Sequence, residues 1–406
     1  VLSFSFALIF TLLSVYYVTS ARLNPLQLVL VGTVLEGTIF LFEIPTGVVA
    51  DTFSRRLSVI IGTLLLGIGL AIEGTIPVFA SILIGEIIRG LGHTFTSGAI
   101  DAWLADEVGE EEVGKVYLRR AQVDQFASLI GIPASVALAG LGLKLPILLG
   151  GGLLVTLGLF MVLTMPETGF RLPKEDRLSW RAMGTTTRDG LRLVRSRPLL
   201  ITFLIIAVLF GMSSEGYDRL WEAHFLQNIH FPVLGSLQPV VWFGVIAMGT
   251  RLLSMPVTEI VLRRLDTNQE KAVARLLLAC SMLQIGGTIA FARTGSFGLA
   301  LACYWASSVC RSIIEPLRNT WLVRSIDPQV RATVLSMTSQ SDAIGQAAFG
   351  PVIGWIGTVR GLRTALVVAG SVLAPVLPLF ALAGSQGREL THAGAVQTPE
   401  TRARAH

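Results

Sequence analysis

From Leu2 to about residue 384 the chain is a succession of long apolar stretches separated by short polar connections. A helix advances about 1.5 Å per residue, so roughly 20 apolar residues reach across a hydrocarbon layer about 30 Å thick. Hydrocarbon offers no partner to a free backbone N–H or C=O, so each stretch must be helical. Twelve are readable, at 2–21, 26–49, 57–76, 78–104, 116–141, 145–165, 199–224, 237–262, 272–292, 296–321, 332–357 and 362–384. The pattern predicts an all-α integral membrane protein with twelve transmembrane helices. Composition agrees, because a chain that is 52% hydrophobic and 15% charged cannot cover a water-facing surface.

The net charge of +5 does not point to nucleic acid, since most basic residues stand in the connections. Placing both termini in the cytoplasm puts 22 Lys and Arg in inner segments and five in outer ones, and the opposite topology reverses that ratio. The expected location is therefore a plasma membrane, the inner membrane of a bacterium, crossed many times. Eight of the inner basic residues lie in "PETGFRLPKEDRLSWRAMGTTTRDGLRLVRSRP", where 191–195 reads as a short helix on the membrane surface. The tail at 385–406 is polar and reads as disordered. Val1 already falls inside the first apolar run, so that helix is expected to begin upstream. Cys280, Cys303 and Cys310 lie in apolar runs without ligand spacing and read as small packing residues.

A shift of 218 residues superposes Trp103-Leu104 on Trp321-Leu322, Gln122 on Gln340, Asp124 on Asp342 and Pro133 on Pro351. A repeat spanning six helices implies two pseudo-symmetric six-helix bundles in the same orientation, at 1–165 and 199–384, joined by a basic linker at 166–198. Parallel halves of this kind place a substrate site between them, near the bilayer midplane.

The turn between the second and third helices reads Gly47-Val-Val-Ala-Asp51-Thr-Phe-Ser-Arg55-Arg56. It resembles the loop of the major facilitator superfamily, with Gly, an Asp four residues on, and basic residues four and five beyond. Thr52 and Ser54 depart from the pattern. Twelve spans, a central basic linker and a halved repeat extend the resemblance over nearly the whole chain, on the side of bacterial exporters of drugs and small molecules. It implies a cytoplasmic latch. Gly47 admits a close neighbour. Asp51 faces the free N–H groups that begin helix eleven, near Ala332. Arg55 and Arg56 face the carboxylates closing helix four, Asp101 and Asp106. The plain alternative is a positive-inside loop, which accounts for the two arginines only.

Charges at membrane depth are costly unless paired or wet, so each is a candidate for function. Glu36 lies mid-span in helix two. Arg89 and His93 lie one turn apart in helix four, with Glu86 within reach of Arg89, and Arg89 resembles the family's helix-four arginine tied to proton coupling. Asp124 and Asp342 are repeat equivalents. Glu36, Arg89, Asp124 and Asp342 are the proton-coupling candidates, and Asp124 has a second reading as an ion-pair partner of Arg119 or Arg120. Substrate-cavity candidates are His93, Glu215, Arg251 and Arg311, with Glu259 and Glu315 as expected carboxylate partners of the two arginines. The end of helix seven, with Glu215, Asp218, Arg219, Glu222 and His224, reads as an outer gate or an entry site for cationic or zwitterionic solutes, or, for Asp218 and Glu222, as an interfacial helix end beside Trp221. The Gly-Pro pattern of drug exporters is broken in helix five (Gly131 to Ser135) and better kept at Gly350-Pro351 and Gly354 in helix eleven.

No phosphate-binding Gly-rich loop, nucleophile turn or metal spacing is present in the sequence, so it points to no enzyme, no cofactor and no metal. The expectation is secondary transport by alternating access, as proton-coupled efflux of a small amphipathic or drug-like molecule, with the proton gradient as energy source. Uptake or facilitated diffusion of a small organic solute is the alternative, and a transport-dead receptor on the same fold a third. Expected partners are a small-molecule substrate and membrane lipid, with the chain acting as a monomer.

Overall fold

The computed structural model describes residues 1–170, 198–232, 239–265, 269–324, 326 and 331–383. Among them every regular element is helical. The helices are α1 (Leu2–Thr19), α2 (Pro25–Thr52), α3 (Arg55–Thr75), α4 (Phe79–Thr96, continued by Ala99–Val108) and α5 (Glu110–Ala139). They continue with α6 (Lys144–Thr164), α7 (Pro198–Asn228), α8 (Pro239–Arg264), α9 (Glu270–Arg293), α10 (Phe297–Arg324), α11 (Arg331–Arg360) and α12 (Leu362–Ala383).

Nine of these are long and apolar enough to span a membrane, and α4, α5 and α11 fall short. Those three carry Glu86, Arg89, Asp124 and Asp342. The structure differs from the expected spans at two breaks and several ends. α1 divides into Leu2–Phe10 and Leu13–Thr19, and α4 breaks at Ser97-Gly98, where Gly98 has φ of 71°. α5 begins six residues before its apolar run, because a helix of charged residues needs no hydrocarbon once it has left the membrane. Its Lys115 and Glu112 pair at 2.7 Å across one turn. The surface helix expected at 191–195 and the tail at 385–406 lie outside the described residues.

Local sequence explains the helix starts. Asn24 and Gln27 form a reciprocal capping box with Pro25 in the first turn of α2, and the Ser54 hydroxyl accepts from Leu57 N at 2.9 Å to cap α3. Within lipid, helices gain little from burying apolar surface against one another, so close packing decides. α3 supplies it with glycine. A Cβ at Gly69 would stand 2.6 Å from the Gly85 carbonyl of α4, so the two backbones touch directly.

The first half is centred on α3, packed against α4 and α6, with α2 on α4 and α1 on α5 and α6. In the second half α7 packs on α11 and α9 on α10, while α12 joins α7, α9 and α11. Across the halves α2 meets α11 and α7, and α5 meets α8. The 218-residue shift carries α2 onto α8 and α5 onto α11, so the two inter-half seams are repeat equivalents.

The seams close at one end. We call the face bearing the Asp51–Arg56 turn and the start of α7 the linker face, and its opposite the far face. At the far face Leu26 N donates to Thr358 Oγ1 at 3.0 Å, Gly354 lies against Pro25, Leu26 and Val29, and Gly244 of α8 meets Val136 of α5. Toward the linker face, no described residue stands within 4 Å of where a Cβ on Gly47 would lie. The halves are splayed toward the linker face.

Candidate functional site

Among the described residues, two cavities lie between the halves. The first, of about 440 Å³, is walled by α2 on one side and by α7, α9, α10 and α11 on the other. Acidic groups dominate it: Glu36 and Glu43 from α2, Asp218 from α7, Glu315 from α10 and Asp342 from α11. Gln346 donates to Asp342 at 2.6 Å, and Arg311 grips Asp218 with both guanidinium nitrogens, the second at 2.7 Å. Arg318, 9% exposed, is the other cation in the wall, and its Nε has no hydrogen-bond partner among the described residues. Its guanidinium lies 5.1 Å from the centre of the Phe210 ring.

The second cavity, of about 540 Å³, is walled by α1 and α5 from the first half and by α7, α8 and α10 from the second. Aromatic rings supply much of its surface, from Phe6, Phe10, Trp221, Phe243 and Tyr304. Its charged members are Asp124, Glu222 and Arg251. The two repeat-equivalent aspartates therefore line one cavity each. Asp124 is bonded by the Ser3 hydroxyl and lies 3.8 Å from Arg120, which bonds Asp101 at 2.5 Å. That places Asp124 in the ion-pair surroundings of its second reading as well as beside a cavity.

Arg89 lines neither cavity. It is buried inside the first half, against Glu86 and 3.6 Å from Glu73 of α3. Tyr17 of α1 donates to Glu73 at 2.5 Å and Tyr16 to the Glu73 carbonyl at 3.0 Å, so the group ties three helices together. His93 is exposed although Arg89 one turn away is buried, and it too lines neither cavity. Glu215 also departs from expectation. It is 3% exposed and bonded to Arg219 at 3.1 Å, wedged between the halves rather than lining a cavity. The pair occupies the space a side chain at residue 32 would need, with Glu215 Oε1 only 1.7 Å from a Cβ built on Gly32.

The expected partners of the two cavity arginines are corrected as well. Arg311 pairs with Asp218 rather than Glu315, its neighbour on α10, because α7 and α10 face each other across the cavity. Glu259 pairs with Arg263 at 2.5 Å, which leaves Arg251 with no ion pair among the described residues.

The turn at Asp51–Arg56 is held within the first half. Arg55 bonds Asp106 and the Ala102 carbonyl, the latter at 3.1 Å, and lies 3.7 Å from Asp51. Arg56 instead donates to the Val162 carbonyl at 2.6 Å, and Asp101 pairs with Arg120. Glu167 accepts from the Ser54 hydroxyl at 2.8 Å and from Arg56 N at 3.0 Å, an anion at the start of α3. Glu107 holds the segment after α6 through Thr168 and Gly169. The Gly169 amide, then the Thr168 hydroxyl, keep its carboxyl below the ordinary value, so these bonds are intact at neutral pH and released as pH falls through that lowered value. Among the described residues nothing stands within 4 Å of a Cβ built on Gly47, and Asp51 is half exposed. The side chain of Ala332, near the expected partner of Asp51, lies outside the described residues.

Sequence reading missed Glu73, Arg318 and Glu167. Glu73 and Arg318 obey the rule that found the others, an ionisable residue inside an apolar run. Glu167 had no such signal, since it stands in a connection rich in charge.

The family model of the Major Facilitator Superfamily matches residues 1–341. An uncharacterised MFS-type transporter of Bacillus subtilis (strain 168), YxaM, is 22% identical over 371 residues, covering 91% of this chain and 90% of that protein. Among solved structures, a bacterial homolog to the human lysosomal transporter Spinster, in an inward-facing and occupied conformation, is similar with a TM-score of 0.75. It is 14% identical, with 95% of this chain and 94% of that one covered. The nucleoside transporter NupG has a TM-score of 0.70 at 15% identity, covering 94% and 97%. At these identities the structures carry the fold alone.

Proposed function

Because this chain belongs to the Major Facilitator Superfamily and is a multi-pass membrane transporter, we propose that it exports a small amphipathic molecule in exchange for protons. One observation carries the reading: the gap between the halves holds an acidic cavity and an aromatic cavity side by side. Carboxylates in a site that is alternately dry and wet bind and release protons as their surroundings change. Aromatic walls with few charges suit an amphipathic cargo. Basic-residue asymmetry supports a cytoplasmic linker face, and cargo would then enter from the cytoplasm in the state described above. The halves then rock about the two cavities, open the far face and close the linker face.

The experiment is solute flux in proteoliposomes with an imposed pH gradient. Glu36→Gln with Asp342→Asn is expected to leave flux that no longer responds to the gradient, because Glu36 and Asp342, two of the acidic-cavity carboxylates without a salt-bridge partner among the described residues, are then neutral. Full coupling in that double variant would remove the two residues as proton carriers.

Asp51 tests the rocking motion. In the state open to the linker face Asp51 is half exposed, and Asp51→Asn is expected to slow transport while leaving substrate affinity within about twofold, since the turn is remote from both cavities. Equal loss of affinity would refute a latch there. A second reading, uptake or facilitated diffusion of a small organic solute, rests on Arg318. A buried guanidinium with a free Nε at a cavity wall suits an acidic group on the solute.

A further inference from the structure

The aromatic cavity contains a buried carboxyl that the exchange of protons in the acidic cavity leaves unused. Glu222 of α7 is 4% exposed, and its Oε2 has no hydrogen-bond partner among the described residues. Ser14 of α1 bonds the carboxyl, and no cation among the described residues does. The nearby cations are engaged elsewhere: Arg219 holds Glu215 at 3.1 Å, and Arg311 holds Asp218 at 2.7 Å. Arg251 of α8 shares the cavity, but it stands eight residues beyond Phe243 toward the linker face, about 12 Å along the helix. Asp124 of α5, also in the cavity wall, has Arg120 for a neighbour.

Around Glu222 the wall is aromatic. Trp221 and Tyr304 lie with ring centres 4.4 Å apart, Phe243 is 6.0 Å from Trp221, and Phe6 and Phe10 close the cavity from α1. A buried carboxyl with no cation against it is stabilised in its charged form when a positive charge comes to lie beside it. Ring faces attract a cation and exclude an anion, and they also accept apolar bulk. A compact ammonium such as lysine's would lose too much hydration among these rings, whereas a cation whose charge is shielded by apolar groups would not.

We propose that the Glu222 end of this cavity is the binding site for a lipophilic organic cation, with Glu222 as its counter-ion and Trp221, Tyr304 and Phe243 as its walls. The inference rests on the transport reading, to which it adds the charge class of the cargo. In this arrangement Glu222 selects by charge, the rings select by shape and apolar area, and the acidic cavity is left to the protons.

The test is calorimetric titration of the full chain in detergent with tetraphenylphosphonium, against tetraphenylborate, which has nearly the same shape and the opposite charge. The phosphonium is expected to bind and the borate not to. Glu222→Gln is expected to weaken the phosphonium by about tenfold or more, and Tyr304→Leu by a few-fold. A protein that binds the borate as tightly as the phosphonium overturns the proposal, as does unchanged phosphonium affinity in Glu222→Gln. Should Glu222→Gln lose its cooperative melt, Tyr304→Leu and Glu222→Asp decide the question by the same titration. Binding is measured here without a pH gradient. Failed coupling in the flux experiment would thus refute proton exchange and leave this site standing, and a failed titration with coupled flux intact would do the reverse.

Discussion

Arg89→Met is expected to destabilise the folded chain by about 3–5 kcal/mol, the usual cost of stripping one partner from a buried ion pair. The side chain is 8% exposed, and the Glu73 and Glu86 side chains it contacts are fully buried. Removing the guanidinium leaves two buried carboxylates facing each other beside the Tyr17 hydroxyl, with no salt-bridge partner among the described residues. The cost also spreads, because Tyr17 belongs to α1, Glu73 to α3 and Glu86 to α4. The effect is best read as the half-life of the folded protein in detergent at a fixed temperature, since a chain of this size need not unfold in one step. A decisive comparison adds Glu73→Gln and Glu86→Gln to Arg89→Met. If uncompensated charge causes the loss, the triple variant regains most of the lifetime. A triple variant as short-lived as the single one would assign the loss to packing, including the stacking of Arg89 over Phe10 at 5.3 Å.

The same cluster explains why part of the site was legible in the sequence and part was not. An ionisable residue in an apolar run is visible at once, because burial cost is local and sequence carries it. Glu36, Asp342, Arg251 and Arg311 were found that way, and all four line a cavity. What each one faces is a matter of helix packing, which the repeat constrains only coarsely. Spacing along one helix suggested Glu315 for Arg311 and Glu259 for Arg251, but an arginine side chain reaches across a helix interface as readily as along its own helix. Asp218 of α7 therefore took Arg311. Arg89 and His93 share a spacing and not an environment, since α4 is covered by α3 at one residue and open at the other. The fold itself was more legible. Length and hydropathy set the number of helices, and the 218-residue repeat set their arrangement. Both depend on the period and polarity of the sequence rather than on the details of contact. The helix breaks at Leu12 and Gly98 were missed because neither interrupts the apolar pattern.

Gly354→Leu is expected to reduce transport by about tenfold or more while leaving the chain folded. A Cβ at residue 354 would stand 3.0 Å from the Leu26 Cα, 3.0 Å from the Val29 Cβ and 3.2 Å from the Pro25 carbonyl. Two of these atoms are backbone and the third is the first atom of a branched side chain, so none can swing away. All three belong to α2, in the opposite half, which is why each bundle can stay intact while the seam between them cannot. Overpacking costs typically about 1–3 kcal/mol, and here it falls on one state only, the one with the far face closed. That moves the balance between the two states by roughly tenfold to a hundredfold and leaves the chain waiting in the state open to the far face. Thr358, which accepts from Leu26 N across the same seam, reports the shift. In a Thr358→Cys background, Gly354→Leu should speed labelling by a membrane-impermeant maleimide from the far side by about tenfold, set against the parent's background from Cys280, Cys303 and Cys310. Faster labelling with lost flux means that α2 and α11 must meet at this glycine once in every cycle. Lost flux with unchanged labelling would place the defect inside the second half and refute the seam as a moving part.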